Sequence, residues 1–127
     1  MRVFVVRHAE AAPGEPDELR PLTAAGRAAA RSLATRLAGS QVGSVVTSPL
    51  LRARETGEAI AAAAGVAAEV DERLAPGADA DALRAAVAGR AEPVVAVGHQ
   101  PDCGEIVLAL TGRERRFAPA DVAEVEL

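Results

Sequence analysis

The sequence predicts a three-layer α/β/α sandwich built on a central, mostly parallel β-sheet. Three observations predict it. Short unbroken apolar runs, Arg2–Val6 (RVFVV), Ser44–Thr47 (SVVT) and Pro93–Val97 (PVVAV), have the length and β-branched content of strands buried on both faces. Alanine-rich stretches with helix start and stop signals lie between them. The chain of 127 residues, 50% hydrophobic and 25% charged, has the size and balance of a single domain spanning residues 1–127.

The strand Arg2–Val6 comes first. Thr23 then reads as a helix N-cap, with Gly26, Ala29, Ala30, Leu33 and Leu37 recurring on one face and Gly39 as the stop. SVVT is the second strand. Ser48 as N-cap and Pro49 at the first helical position open a helix that runs to Ala64 and ends at Gly65. A short strand fits Ala67–Val70, and a helix fits Asp79–Ala88, stopped by Gly89. The strand PVVAV leads to a helix over Pro101–Leu110 with Gly112 beyond its end. The alternating VAEVEL, Val122–Leu127, reads as an edge strand.

Composition removes several function classes. All 14 basic residues are arginines, which excludes a Walker lysine, a Schiff-base lysine and a pyridoxal phosphate site. There is no Trp or Tyr, the only aromatics are Phe4 and Phe117, and the net charge is −4, so nucleic acid is not an expected partner. Two histidines and one cysteine cannot build a His/Cys metal cage, although a carboxylate site stays open on composition alone. No apolar run approaches the ~18–20 residues of a membrane span, and the N-terminus lacks the apolar core and cleavage site of a signal peptide. Cys103 can form no internal disulfide, so a reducing cytoplasm is the expected location. The residue six positions beyond Cys103 is Ala109 rather than arginine, which excludes a cysteine phosphatase; Cys103 reads as a small buried residue.

The chemistry lies at the strand ends. RVFVV runs into Arg7-His8 and PVVAV into Gly98-His99, so parallel strands would bring the only two histidines to the carboxyl edge, where open α/β sheets bind ligands. SVVT leads into Ser48-Pro49-Leu50-Leu51-Arg52, which puts Arg52 in the first turn of a helix beside its positive dipole end. Either histidine alone would be an ordinary strand-end residue; the signal is that both sit there. Guanidinium forks bind phosphate oxygens bidentately. A neutral imidazole can attack phosphorus, and nearby cations keep it neutral by opposing its charged form. The second histidine can hydrogen-bond the oxygens of the transferring group. Such a site needs no metal and no cofactor.

These segments resemble the histidine phosphatase superfamily, with its phosphoglycerate mutase-like fold. Arg7-His8-Ala9-Glu10 is similar to its RHG motif, Ser48–Thr56 (SPLLRARET) to its second signature, and Gly98–Pro101 (GHQP) to its third. The short length and Leu19–Thr23 (LRPLT) look most like the SixA-like phosphohistidine phosphatase branch. The resemblance implies that His8 is the nucleophile, that Arg7 and Arg52 bind the phosphoryl group with Arg20 as a further contributor, and that His99 completes the site. Arg54 and Arg73 read as surface residues, and Glu10 as structural or solvated.

Two departures stand out. Ala9 replaces the glycine of RHG. The acidic residue that follows an R-L-x segment in mutase-like and broad-specificity members is here Pro76, which cannot donate a proton; Asp71, Glu72, Asp79 and Asp81 are the nearby candidates to replace it. The large insertions that cover the site in longer members are also missing, which implies an open pocket. The expectation is a metal-independent phosphatase working through a phosphohistidine at His8, on a protein domain carrying phosphohistidine. The alternatives are a phosphomonoesterase acting on a small phosphorylated molecule such as a nucleotide or sugar phosphate, and a non-catalytic phosphate-binding module.

Overall fold

The computed structural model describes residues 1–127. Its strands are β1 (Arg2–Arg7), β2 (Ser44–Thr47), β3 (Ala68–Val70), β4 (Val94–Gly98) and β5 (Val122–Glu126). They alternate with helices α1 (Ala24–Ala38), α2 (Leu51–Ala64), α3 (Ala80–Val87) and α4 (Asp102–Thr111), and 3-10 turns lie at Asp17–Leu19 and Glu72–Leu74. The sheet order is β3-β2-β4-β1-β5, with β5 antiparallel to β1 and all other pairs parallel. The mostly parallel sandwich expected from the sequence is therefore present, with β5 as an edge.

Both faces of the sheet are covered, which is why its central strands are continuously apolar. Alternation within each strand divides the core. Phe4, Val6, Val45, Val95 and Val97 pack against α1 and α2 residues such as Leu33, Leu37 and Ile60. Val3, Val5, Val46, Val94 and Ala96 pack against Leu83, Val87, Ile106 and Val107 of α3 and α4.

Register then positions the site. Arg7 pairs with Gly98 and Thr47 with Val97, so His8, Ser48 and His99 all leave the same edge of the sheet. The N–H of His8 donates to the Gly98 carbonyl (3.0 Å) and that of Ser48 to the Val97 carbonyl (3.0 Å), which locks the three exits side by side.

Two local readings are corrected. On α1 the buried stripe is Gly26, Ala30, Leu33, Ala34 and Leu37; Ala29 is exposed. Gly26 has no room for a Cβ because the Glu10 carbonyl lies against it, which seats the first turn of α1 on the segment after His8. The second helix starts at Leu51, not Pro49, and Leu50 is its N-cap without a side-chain bond. Ser48 Oγ accepts from Leu50 N (3.2 Å) in a tight turn that precedes the helix. Thr23 and Asp79 are N-caps, accepting from Gly26 N and Ala82 N. No helix is long and apolar enough to cross a membrane.

Candidate active site

A pocket of about 360 Å³ opens at the carboxyl edge of the sheet, lined by Arg7, His8, Glu10, Ala11, Arg20, Arg52, Pro76, His99, Gln100 and Pro119. The structure thus brings together all five residues singled out for phosphate chemistry. A larger groove of about 590 Å³ between α1 and α2 contains none of them.

Arg7, Arg52 and His99 are set by contacts distant in sequence, Arg20 and His8 by near ones. Arg7 Nη1 donates to the Phe117 carbonyl (2.8 Å), while its Nε is buried with no partner in the protein. A sealed, unsatisfied guanidinium donor is costly, and the structure shows no partner that offsets this cost. Arg52 is 8% exposed; its Nη1 donates to the Asp17 carbonyl (2.9 Å) and its Nη2 to Asp17 Oδ2 (3.2 Å). Arg20 donates through Nε to the Ala12 carbonyl (2.8 Å) and through Nη1 to Asp17 Oδ1 (3.0 Å). One carboxylate therefore bridges two pocket arginines, and their hydrogen bonds, Arg20 first and then Arg52, hold Asp17 below the usual carboxylate range.

The two histidine rings lie 5.1 Å apart between centroids at 60°. Nδ1 of His8 is 2.7 Å from the Ala9 carbonyl. A carbonyl can only accept, so Nδ1 carries the proton and the Nε2 lone pair is free. Burial, and then the charges of Arg52, Arg7 and Arg20, lower the pKa of His8. His99 is 4% exposed, and its Nε2 lies 2.7 Å from Ser48 Oγ. Burial foremost, with His8 and Arg52 beside it, brings its pKa down to about 4. Both rings are neutral at pH 7.

Ala9 does not face the pocket. It is fully buried, and its N–H donates to Thr56 Oγ1 (3.0 Å). Thr56 Oγ1 in turn donates to the Arg52 carbonyl (2.8 Å), joining the segment after His8 to α2.

None of the four carboxylates considered as replacement acids lines the pocket. Asp71 is held by Arg73 Nη2 (2.8 Å) and kept in its ionised form by that bond. Asp79 caps α3, Asp81 pairs with Arg84, and Glu72 lies in the 3-10 turn. Pro76 does line the pocket, on a connection anchored where Gly77 N donates to Asp102 Oδ2 (2.8 Å). The one carboxylate in the lining is Glu10, whose Oε1 accepts from Thr23 Oγ1 (2.7 Å). Arg54 bonds the Pro49 carbonyl and Arg73 pairs with Asp71, both outside the pocket. Cys103 is buried, and burial pushes its thiol up to about 12, so it is inert. No three His, Cys, Asp or Glu side chains converge as metal ligands.

Asp17, Ser48, Thr56 and Asp102 are the polar residues whose part in building the site was not read from the sequence. Each acts through a partner at least 25 residues away.

Residues 3–76 match the histidine phosphatase superfamily (branch 1). The chain belongs to that superfamily. It is 39% identical over 136 residues to an uncharacterized protein of Picosynechococcus sp., covering 96% of this chain and 82% of that one. Among solved structures, the protein histidine phosphatase SixA complexed with tungstate superposes with a TM-score of 0.88 at 32% identity, over 100% of this chain and 88% of that chain. A putative phosphohistidine phosphatase SixA from Agrobacterium tumefaciens gives 0.81 at 28% identity, over 97% and 89%. A mycobacterial glucosyl-3-phosphoglycerate phosphatase shares the fold, with a TM-score of 0.76 at 21% identity over 97% and 88%. The chain is a histidine-nucleophile phosphatase of the superfamily's SixA-like branch.

Proposed function

We propose that the chain hydrolyses protein phosphohistidine through a covalent phosphohistidine on His8, without a metal ion. The observation that carries the reading is the His8 Nδ1–H bond to the Ala9 carbonyl, which leaves Nε2 as a lone pair in a pocket lined by three arginines. In the first step that lone pair attacks phosphorus while the bond from phosphorus to the substrate nitrogen breaks. The departing imidazole keeps the proton on its other nitrogen and leaves neutral. In the second step water attacks phosphorus, the electron pair of the P–N bond returns to Nε2, inorganic phosphate departs and the water proton passes to solvent. Arg7, Arg20 and Arg52 offset the charge on the oxygens, which is the usual task of a metal in phosphoryl transfer. The tungstate in the SixA structure is a tetrahedral oxyanion, consistent with such a pocket.

The substrate class follows from the leaving group. An alkoxide needs a positioned acid, worth ~10²–10⁴ in rate, whereas a protonated phosphoimidazole does not. At Pro76 the pocket offers no acid. Glu10 favours the second reading, a small phosphomonoester, because it is a carboxylate in the lining. Its bond to Thr23 speaks against free movement to the leaving group.

The test is to present ³²P-labelled donors of both classes and map acid-labile label to His8, in the presence of a strong chelator. The reading expects fastest labelling from a phosphohistidine protein and no loss in chelator. Comparable kcat/KM on an alkyl phosphate that is abolished by Glu10→Gln would replace it with the second reading. Phosphate binding with no hydrolysis of any donor would make the chain a binding module.

A further inference from the structure

We propose that Ser48 is a positioning residue that fixes the tautomer of His99, so that His99 presents an Nδ1–H donor rather than a lone pair to the anion. One buried hydroxyl, that of Ser48, has a single acceptor within reach. Ser48 is fully buried. Its N–H is spent on the Val97 carbonyl, and its own carbonyl accepts from Thr47 Oγ1 (2.9 Å). Its Oγ accepts from Leu50 N (3.2 Å). One proton is left, that of the hydroxyl, and the acceptor in reach is His99 Nε2 at 2.7 Å. Were Nε2 protonated instead, it would donate to Oγ and leave the proton of the fully buried Ser48 hydroxyl without a protein acceptor. The satisfied arrangement is therefore Ser48 O–H to His99 Nε2, which puts the ring proton on Nδ1.

Nδ1 of His99 has no hydrogen-bond partner in the protein and is not among the sealed, unpaired atoms, while the ring lines the pocket. The ring also borders a small, mostly apolar cavity beside Cys103, and of the two spaces only the phosphate pocket offers room for an anion to accept that proton. The two histidines then share one tautomer for opposite ends. At His8 an acceptor, the Ala9 carbonyl, takes the Nδ1 proton and leaves a lone pair free. At His99 a donor, the Ser48 hydroxyl, takes the Nε2 lone pair and leaves a proton free.

The proposal rests on the reading of the pocket as a phosphoryl-transfer site for its consequence, but not for its test. In protein with ¹⁵N-labelled histidine at a pH above 7, two-bond ¹H–¹⁵N correlations separate Nδ1–H from Nε2–H rings. His99 is expected as Nδ1–H in the wild type. In Ser48→Ala it should move toward the Nε2–H form that free histidine prefers, while His8 stays Nδ1–H as an internal control. The kcat of Ser48→Ala should fall about tenfold with KM little changed, less than the ~10²–10³ lost with a whole preorganised donor. A wild-type His99 in the Nε2–H form overturns the proposal, and so does a Ser48→Ala spectrum with His99 unmoved. If Ser48→Ala does not fold, the wild-type spectrum alone decides. Failure to label His8 with phosphate would overturn the proposed reaction and leave the tautomer result standing.

Discussion

The part of the pocket rim supplied by the segment after β1 and by α2 is dense with charge. There Arg20 and Arg52 converge on Asp17, and each guanidinium also has a backbone carbonyl to fix its direction. The part supplied by the β3–α3 connection, the start of α4 and the approach to β5 contributes Pro76, Gln100 and Pro119, none of which ionises. Gln100 Oε1 is spent on Gly104 N (2.8 Å) at the start of α4. On the function proposed above, such a site would hold a phosphoryl group through its arginines and offer the leaving group no proton at Pro76. Such a division suits a substrate whose leaving group departs unaided.

The comparison breaks most completely if the nucleophile is removed. His8→Ala should lose essentially all turnover and all acid-labile label while keeping close to the wild-type melting temperature, because the ring lines the pocket and its hydrogen bond goes only to the neighbouring Ala9 carbonyl. Residual turnover at the wild-type rate would move the chemistry to another group. Arg52→Ala tests the charged rim, and a loss on the order of 10²–10³ in kcat is expected from one preorganised transition-state contact. Its loss should exceed that of Arg20→Ala, since Arg52 is nearly buried and acts where water screens least.

The uncharged rim is sharpened by adding what it lacks. Pro76→Glu should raise kcat/KM on an alkyl phosphate by about tenfold, short of the ~10²–10⁴ of an evolved acid, with no gain on a phosphohistidine donor. Equal gains on both donors would show that the acid is not the missing element. The pH profile comes next. The lowered pKa of His8 puts the acid limb of kcat/KM below the ordinary value of 6.5. Stability carries the same sign. His99, held at about 4 when folded and 6.5 when unfolded, makes the unfolded chain bind more protons between those values. Its stabilising contribution is complete above about pH 6.5 and is lost as pH falls toward 4, so the melting temperature should decline across that window. A flat melting profile between those limits would contradict the buried neutral ring.

Much of this was legible in the chain. Continuous β-branched runs marked the buried strands, and both histidines followed them directly, so register alone delivered them to one edge. What could not be read depended on contacts distant in sequence. Ser48 followed by Pro49 has the local pattern of a helix cap, yet its hydroxyl is taken by His99, 51 residues on, and the helix starts later. Ala29 and Ala34 are indistinguishable by composition, and only packing selects Ala34. Asp17 lies three residues from Arg20, a visible spacing, but its tie to Arg52 spans 35 residues.

Asp17 also supplies the smallest expected effect. Its carboxylate sits on two guanidiniums that a phosphoryl group would use, so it is a competing anion on the charged rim. The side chain is 62% exposed, where solvent screening limits a pair to a small factor. Asp17→Asn keeps the shape and removes the charge. Inorganic phosphate should then inhibit roughly two- to fivefold more tightly, the scale of an exposed ion pair, with kcat unchanged. The gain should vanish near 1 M salt, where the screening length falls to about 3 Å. A fall in kcat with unaltered phosphate inhibition would give Asp17 the other role, that of orienting Arg20 and Arg52. In that case the charged rim would depend on its acidic residue as much as on its arginines, and the carboxylate would be part of the binding site rather than a competitor for it.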